Sequence, residues 1–445
     1  MEQRGFFILP TYPMMGYQTA LATVSGHIER SDLSREYGNQ SCFANVETIL
    51  KLIRSLSPAR NENSQKYIDC LKNVIQQSKE NAIVPAFRAL NNFVCALRRH
   101  GLQSFNKWAD ESPVAQFGRG DDAKLGPFAI SEVSLQVISL PARFALNGLV
   151  GWIPLAHEIG HTILEGQWFG VPNLRAQLFL ACYELHFNSD QKEVVSHFLD
   201  RFKETAADVL SVWLFGKCAA LGFIPFMRSN TPWFCEDLIP QEGKPHTHPL
   251  PLARTYILAA AVKQLLGDQE TANWILKETL SDLSKMQGLV SFYDGNRKWF
   301  VQENHDKMMV VADRLVDQMI KTLDQISGGR RCWNPEDDKI VKGLAEAFKS
   351  IGNGKCNLEE MNFGNVTPLH KVAAAFYASL ELPEEPPQTF VPSQFGYIQG
   401  KASEEGGSYA AFEGAGEVAP NIPSELERNH NYTNRIFKAM IDSLQ

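Results

Sequence analysis

The stretch Ala156-His157-Glu158-Ile159-Gly160-His161-Thr162 decides how the rest of the chain is interpreted. Two histidines stand four residues apart, and a glutamate directly follows the first. On a helix, residues four apart lie on the same face, so both imidazoles can reach one point, as two ligands of a tetrahedral zinc must. Glu158 is then placed to act as general base on a metal-bound water. The stretch therefore predicts a zinc site with His157 and His161 as ligands.

The residues around this stretch predict a short, buried helix. Ile153 and Leu155 precede the motif, and Ile163 and Leu164 follow it. Pro154 suits a first helical turn, because its missing N–H would have no partner there. Ionisable groups inside an apolar helix are costly unless they are paired or bound to a metal. Burial therefore favours the metal-ligand interpretation over that of ordinary core histidines.

The amino-acid composition limits the classes of protein to which the chain can belong. The 445 residues are 44% hydrophobic and 21% charged, with a net charge of −7, which is typical of a globular protein of two or three domains. The negative charge argues against a nucleic-acid partner. We find no secretory signal and no run of 18 apolar residues, so we expect no transmembrane segment. The eight cysteines are scattered singly, which predicts reduced thiols and a cytoplasmic location.

A strand is predicted just before the metal helix. Val133, Leu135 and Val137 alternate with polar residues, which is the pattern of a half-buried strand. An exposed strand edge can hold an extended peptide by main-chain pairing. We therefore expect a substrate-binding edge strand beside the metal site.

The rest of the chain is predicted to be mostly helical. We expect an N-terminal helical lobe (1–125), a zincin-like catalytic core (126–268), a C-terminal helical lobe (269–381) and a Pro/Gly/Glu-rich tail with a short terminal helix (382–445). The predicted fold class is α+β and predominantly α-helical. Within these segments, residues 43 to about 100 are predicted to be helical, with apolar residues at helical spacing over 46–56 and 87–97. Further helices are predicted at 174–185, 191–215, 308–326, 337–350, 369–380 and 423–444.

A second motif, Glu204-Thr205-Ala206-Ala207-Asp208, lies in the predicted helix 191–215. Glu204 and Asp208 are four residues apart and share a helix face. Together with His157-Glu158-x-x-His161, this motif resembles the gluzincin branch of the zincin metallopeptidases. The resemblance implies that Glu204 is the third zinc ligand. It also implies that Asp208 orients one of the histidines.

A third stretch runs His246-Thr247-His248-Pro249-Leu250-Pro251-Leu252-Ala253-Arg254. The order of the three motifs (HExxH, ExxxD, HPxxxxR) resembles that of the CAAX prenyl protease and HtpX family, over about Val133 to Tyr256. We expect His248 to donate to the transition state, with His246 as the neighbouring candidate. Arg254 is always charged and is expected to pair with Asp208 or another buried carboxylate.

A second family shares part of this pattern. His-Glu-Ile-Gly-His with a downstream Glu-x-x-Ala also resembles soluble peptidases of the ImmA/IrrE type, which cut repressors. That family usually has Asn where this chain has Asp208. No His-x-x-Gly-x-x-His extension follows His161, which excludes the metzincin branch.

The sequence therefore predicts a zinc-dependent endopeptidase with one zinc per chain and a protein or peptide substrate. A metal-bound water would attack the peptide carbonyl, with Glu158 as general base. Two alternatives stay open: a regulatory ImmA/IrrE-like peptidase that cleaves one partner, and a non-catalytic helical interaction protein with a structural or degenerate zinc site. Nothing in the sequence gives the oligomeric state.

Overall fold

The computed structural model describes residues 84–106, 114–118, 126–129, 136–141, 149–164, 171–230, 249–285, 291–294, 297–300, 304–355, 366–380 and 424–444. Several predicted features lie outside the described residues: His246, His248, Val133, Leu135, the predicted helical run 46–56, and the predicted tail from 382 up to its terminal helix at 424.

Helices dominate the described part of the chain, as predicted. We number them in chain order. Their bounds are α1 Val84–Ser104, α2 Leu149–Trp152, α3 Leu155–Leu164, α4 Leu174–Tyr183, α5 Lys192–Leu199, α6 Phe202–Asn230, α7 Pro251–Leu266, α8 Gln269–Lys285, α9 His305–Ser327, α10 Pro335–Gly352, α11 Pro368–Leu380 and α12 Ser424–Ser443. The strands are β1 Val114–Gly118, β2 Gly126–Ala129, β3 Gln136–Pro141, β4 Ser291–Asp294 and β5 Arg297–Phe300.

A three-stranded sheet precedes the metal helix α3. Its order is β1-β3-β2, with β1 parallel and β2 antiparallel to β3. A strand does lie before the metal helix, but the described strand begins at Gln136, and Ile138 and Leu140 are its buried residues. The expectation that this strand is an edge is wrong, because β3 pairs on both sides. In the described part of the sheet, β1 and β2 form the edges, and β2 contacts α3.

Helix α6 organises the interior, since it packs most closely against α3 and α7. Gly160 of α3 lies at the crossing with α6. A Cβ at this position would lie 3.1 Å from the carbonyl oxygen of Ala207 and 3.3 Å from the Cβ of Leu210. Glycine therefore lets the backbone of α3 approach that of α6 closely enough for side chains of the two helices to meet.

The predicted single helix 191–215 is wrong. The chain forms α5, then a break at Asp200 and Arg201, then α6. Helix α6 continues past Phe215 through a kink at Gly216, where φ is 61° and ψ is −157°, a backbone region that is essentially restricted to glycine. The Trp333 indole packs against this kink, and a Cβ on Gly216 would lie 2.3 Å from its Nε1.

Buried apolar residues from the helices and from β1 and β3 form one hydrophobic cluster that includes residues of all four predicted segments. Phe87, Leu90, Val94 and Leu97 of α1 are all fully buried. That observation confirms the helix predicted from their spacing. The segment boundaries after 125, 268 and 381 stay predictions.

Two observations bear on the expected location of the protein. Within α6, residues Phe202–Ile224 are long and apolar enough to cross a membrane by length and composition, and 89% of the apolar window is buried inside the protein. Packing in the core accounts for that composition. Cys182, Cys218 and Cys332 are free and buried, but Cys95 is disulfide-bonded, so the expectation of eight reduced thiols is wrong there. The cytoplasmic location stays a prediction.

Candidate metal centre

The metal helix α3 brings two imidazoles together. All ten of its residues are buried, including His157, Glu158 and His161. The two histidine rings lie four residues apart on one face, with centroids 4.6 Å apart and planes at 81°. The predicted buried helix is therefore confirmed, and its first residues follow Pro154 directly.

Glu204 of α6 completes a group of three potential ligands. Its Oε2 lies 3.2 Å from Nε2 of His157, and its Oε1 lies 3.3 Å from Nε2 of His161. One ligand atom from each of the three residues lies within 4.8 Å of the others. Ligands about 2.0–2.1 Å from a tetrahedral zinc are separated by roughly 3.3 Å, so these spacings fit such an ion. The three predicted metal ligands thus lie together in the structure.

Asp208 lies one helical turn beyond Glu204 and holds His157 from the other side of its ring. Its Oδ1 is 2.9 Å from Nδ1 of His157. This contact leaves Nε2 directed at the potential metal position. A histidine ligand that donates its other N–H to a carboxylate is fixed in tautomer and orientation. The structure therefore places Asp208 where the sequence predicted it.

Arg254 of α7 pairs with Asp208 through two hydrogen bonds. Nε donates to Oδ2 at 2.9 Å and Nη2 donates to Oδ1 at 2.8 Å. Both side chains are buried, at 8% and 1% exposure. This bidentate geometry is specific to arginine, because lysine presents a single ammonium. The open choice of carboxylate partner for Arg254 is thereby settled in favour of Asp208.

The guanidinium of Arg254 is also held by aromatic rings. Its Cζ lies 4.4 Å from the ring centroid of Phe223, and that ring lies 5.2 Å from the ring of His157. Nη2 is 3.3 Å from both ring nitrogens of His157. The positive charge of Arg254 therefore lies directly beside the His157 ring.

The electrostatics of the metal-free group follow from these contacts. Burial alone would lower the pKa of His157, but the charge of Asp208 together with hydrogen bonds to Asp208 and Glu204 raises that pKa to about 9. Burial and then the proximity of His157 lower the pKa of His161. Burial would raise the pKa of Glu204, yet hydrogen bonds from both histidines hold it well below its usual range. A metal ion must therefore displace a proton from His157 when it binds.

Charge counting indicates which ions suit the centre. Glu158, Glu204 and Asp208 carry three carboxylates, and all three are buried. Arg254 neutralises one negative charge. A divalent cation would neutralise the other two, which leaves a buried centre with no net charge. Two imidazoles and one carboxylate are a ligand set that zinc accepts.

The two candidate histidine ligands differ in the hydrogen bonding of the ring nitrogen that faces away from the potential metal position. Nδ1 of His161 is buried and has no hydrogen-bond partner among the described residues, whereas Nδ1 of His157 contacts Asp208. His157 is therefore the more firmly oriented ligand.

The structure assembles most of the predicted site. His157, Glu158, His161, Glu204, Asp208 and Arg254 all lie in or against it. His248 and His246, the candidates for a transition-state donor, lie outside the described residues. Sequence reasoning missed Gly160 and Phe223. A glycine inside an apolar helix was the available signal for close backbone approach, whereas nothing local marked Phe223.

Comparisons of the chain with protein-family models, with curated proteins and with solved structures find no match.

Proposed function

We propose that the chain is a zinc-dependent endopeptidase of the gluzincin type, which hydrolyses peptide bonds of a protein substrate. The observation that carries this proposal is the convergence of His157, His161 and Glu204 around one point, with Glu158 directly after the first histidine on the same helix. The structure contains a buried His-His-Glu group that could hold a metal ion. That the ion is zinc, and that the reaction is peptide hydrolysis, are parts of the proposal.

Each residue has a role that follows from its position. His157, His161 and Glu204 would hold the ion, and a zinc ion there would supply Lewis acidity. Glu158 takes the proton from the attacking water and passes it to the departing amine. Asp208 fixes the orientation of His157, and Arg254 fixes Asp208. Arg254 therefore acts on the metal site indirectly, through Asp208 and His157.

The substrate would bind along the sheet. Strand β2, at Gly126–Ala129, lies at an edge of the described sheet and contacts α3. An extended peptide that pairs with a free strand edge satisfies its main-chain groups whatever its side chains are. In this proposal β2, rather than the strand predicted at 133–137, is the edge strand that binds the substrate. The zincin-like α+β core is also part of the proposal.

Burial of the ligands supports one alternative, a structural zinc. The side chains of His157, His161 and Glu204 are only 4–8% exposed. A closed structural site needs four protein ligands, whereas a catalytic site keeps one position for water or substrate. In the described part of the chain three candidate ligands converge. Glu158 separates the two cases, because it has no function in a structural site.

The test compares Glu158→Gln with the parent protein, both loaded with zinc. Cleavage of a fluorogenic peptide mixture and of labelled casein is measured, together with zinc content. We expect zinc to be retained and the cleavage rate to fall by about 10²–10⁴-fold, the range for loss of a general base. Glu346→Gln, at an exposed glutamate of α10, is the matched control and should leave the rate unchanged. Equal rates for parent and Glu158→Gln would contradict the proposal.

A further inference from the structure

Helix α6 bends sharply at Gly216, so that residues on both sides of the bend contact the same imidazole ring. Asp208, before the bend, lies 2.9 Å from Nδ1 of His157. Phe223, after the bend, has its ring centroid 5.2 Å from that of His157. In a straight helix, residues fifteen positions apart would be separated by about 22 Å along the axis. The non-helical backbone at Phe215 and Gly216 therefore turns the second half of α6 towards the metal centre.

Two contacts hold the second half of α6 in this position. A Cβ on Gly222 would lie 2.5 Å from Cγ2 of Ile153, so glycine lets the helix lie close to the residues that lead into α3. Nζ of Lys217 donates to Oδ2 of Asp268 at 2.9 Å, at the junction of α7 and α8. Phe223, directly after Gly222, is only 4% exposed. The ring of Phe223 is therefore built into the wall of the metal centre.

The Phe223 ring contacts a charge that supports one of the candidate ligands. Cζ of Arg254 lies 4.4 Å from the ring centroid, a distance at which the negative face of an aromatic ring attracts a cation. Arg254 donates two hydrogen bonds to Asp208, which in turn contacts Nδ1 of His157. Both members of the ion pair are buried, so water screens these interactions little. The ring thus stands at the start of a line of contacts that ends at His157.

We propose that Phe223 is a positioning residue of the metal centre, whose ring raises zinc affinity by holding the guanidinium of Arg254 in place. This inference rests on the zinc ligands of the proposed function and not on the reaction. Without the ring, the guanidinium gains freedom, and the carboxylate of Asp208 and the imidazole of His157 are fixed less firmly. The metal must then order its own ligand as it binds, and that cost is subtracted from its affinity.

Replacement of Phe223 by leucine removes the ring and keeps an apolar side chain. We expect Phe223→Leu to weaken zinc binding by about 3–30-fold in competition with a chelator, which is the scale of one buried cation–π contact. Phe376→Leu on α11 is the matched control, because that phenylalanine is fully buried and its ring contacts Tyr377. The control should leave zinc affinity unchanged. An unchanged affinity in Phe223→Leu would overturn the proposal.

Fluorination separates the attraction for the cation from packing. Fluorine withdraws electron density from the ring face, so phenylalanine with one, two or three fluorines attracts a cation progressively less while it keeps nearly the same shape. With these residues incorporated at position 223, we expect zinc affinity to fall with each added fluorine. Equal affinities across the series would show that the ring acts by packing alone, and would overturn the proposal.

The Arg254→Met background tests the route through the guanidinium. If the ring acts through Arg254, Phe223→Leu should change zinc affinity by less than about twofold in that background, because contacting residues are not additive. An equal loss in both backgrounds would overturn the proposal. If zinc affinity depends on Phe223 as expected while no peptide is cleaved, this inference stands and the peptidase function fails.

Urea unfolding of the same four proteins without zinc gives an independent measure of the contact. We expect the effects of Phe223→Leu and Arg254→Met on unfolding to be non-additive, since each removes the same ring–guanidinium contact. A parent protein that takes up no zinc would refute the proposed function and the effect of Phe223 on zinc affinity. Additive effects in urea would show that the ring does not hold the guanidinium, and would overturn the proposal whatever the metal content.

Discussion

Replacement of Arg254 by methionine should destabilise the protein by about 3–5 kcal/mol, the cost of removing one partner from a buried ion pair. The magnitude follows from the geometry: Asp208 is fully buried and accepts two hydrogen bonds from Arg254. Methionine keeps much of the aliphatic part of the side chain, so the loss falls mainly on the guanidinium, with its ion pair to Asp208 and its contact with the Phe223 ring. The orientation of His157 should also loosen. Zinc affinity should therefore drop by about 10–100-fold, as for other residues that support a metal ligand.

A double variant tests this reasoning most sharply. Asp208→Asn with Arg254→Met removes both charges together, so no buried charge is left without a partner. We expect the double variant to be less destabilised than the sum of the two single variants by more than about 1 kcal/mol. Urea unfolding of all four proteins gives the coupling free energy. Lys263→Met on the same helix, whose pair with Asp313 is 41% exposed, is the matched control and should cost less than about 1 kcal/mol. Additive single effects would refute the argument.

Three further predictions concern other residues. His248→Ala should retain zinc and lower turnover by about a hundredfold, measured with the fluorogenic peptides; loss of turnover in His246→Ala instead would make the neighbouring histidine the donor. Gly160→Ala should weaken zinc binding in competition with a chelator, because the added Cβ forces the backbones of α3 and α6 apart by a few tenths of an ångström; unchanged affinity would show that the crossing does not position Glu204. Gly216→Ala should destabilise the protein by about 1–3 kcal/mol, since the Trp333 indole occupies the space that the new Cβ would need and the backbone there favours glycine. An unaltered melting curve would contradict this.

The helices follow from the sequence because their signals are local. The spacing from Met308 to Ile326 predicts a helix that the structure extends to His305–Ser327. The predicted helix 337–350 begins two residues earlier, where Asn334 and Asp337 form a capping box and Pro335 occupies the first turn. Apolar periodicity and capping residues act over a few positions. A single chain is enough to detect them.

The kink and the sheet depend on contacts that are distant in sequence. Gly216 bends α6 against Trp333, which lies more than a hundred residues away. The central position of β3 depends on its pairing with β1 and β2. Periodicity identifies a strand but does not reveal its neighbours. For that reason the strand before the metal helix was wrongly predicted to be an edge strand.

The candidate metal site also has a part that local sequence signals predict and a part that depends on distant contacts. His157 with His161, and Glu204 with Asp208, are i, i+4 pairs, and helix geometry alone brings each pair onto one face. That the two pairs meet depends on the close crossing of α3 and α6 at Gly160. The resemblance in motif order predicted their meeting, whereas local physics did not.

Metal analysis of the purified protein tests the central claim most directly. The zinc-to-protein ratio is measured by mass spectrometry for the parent and for the His157→Ala, His161→Ala double variant. We predict one zinc per chain in the parent and none in the double variant, because two of the three ligands are removed from a buried site. A full zinc complement in the double variant, or none in a zinc-supplied parent, would contradict the account.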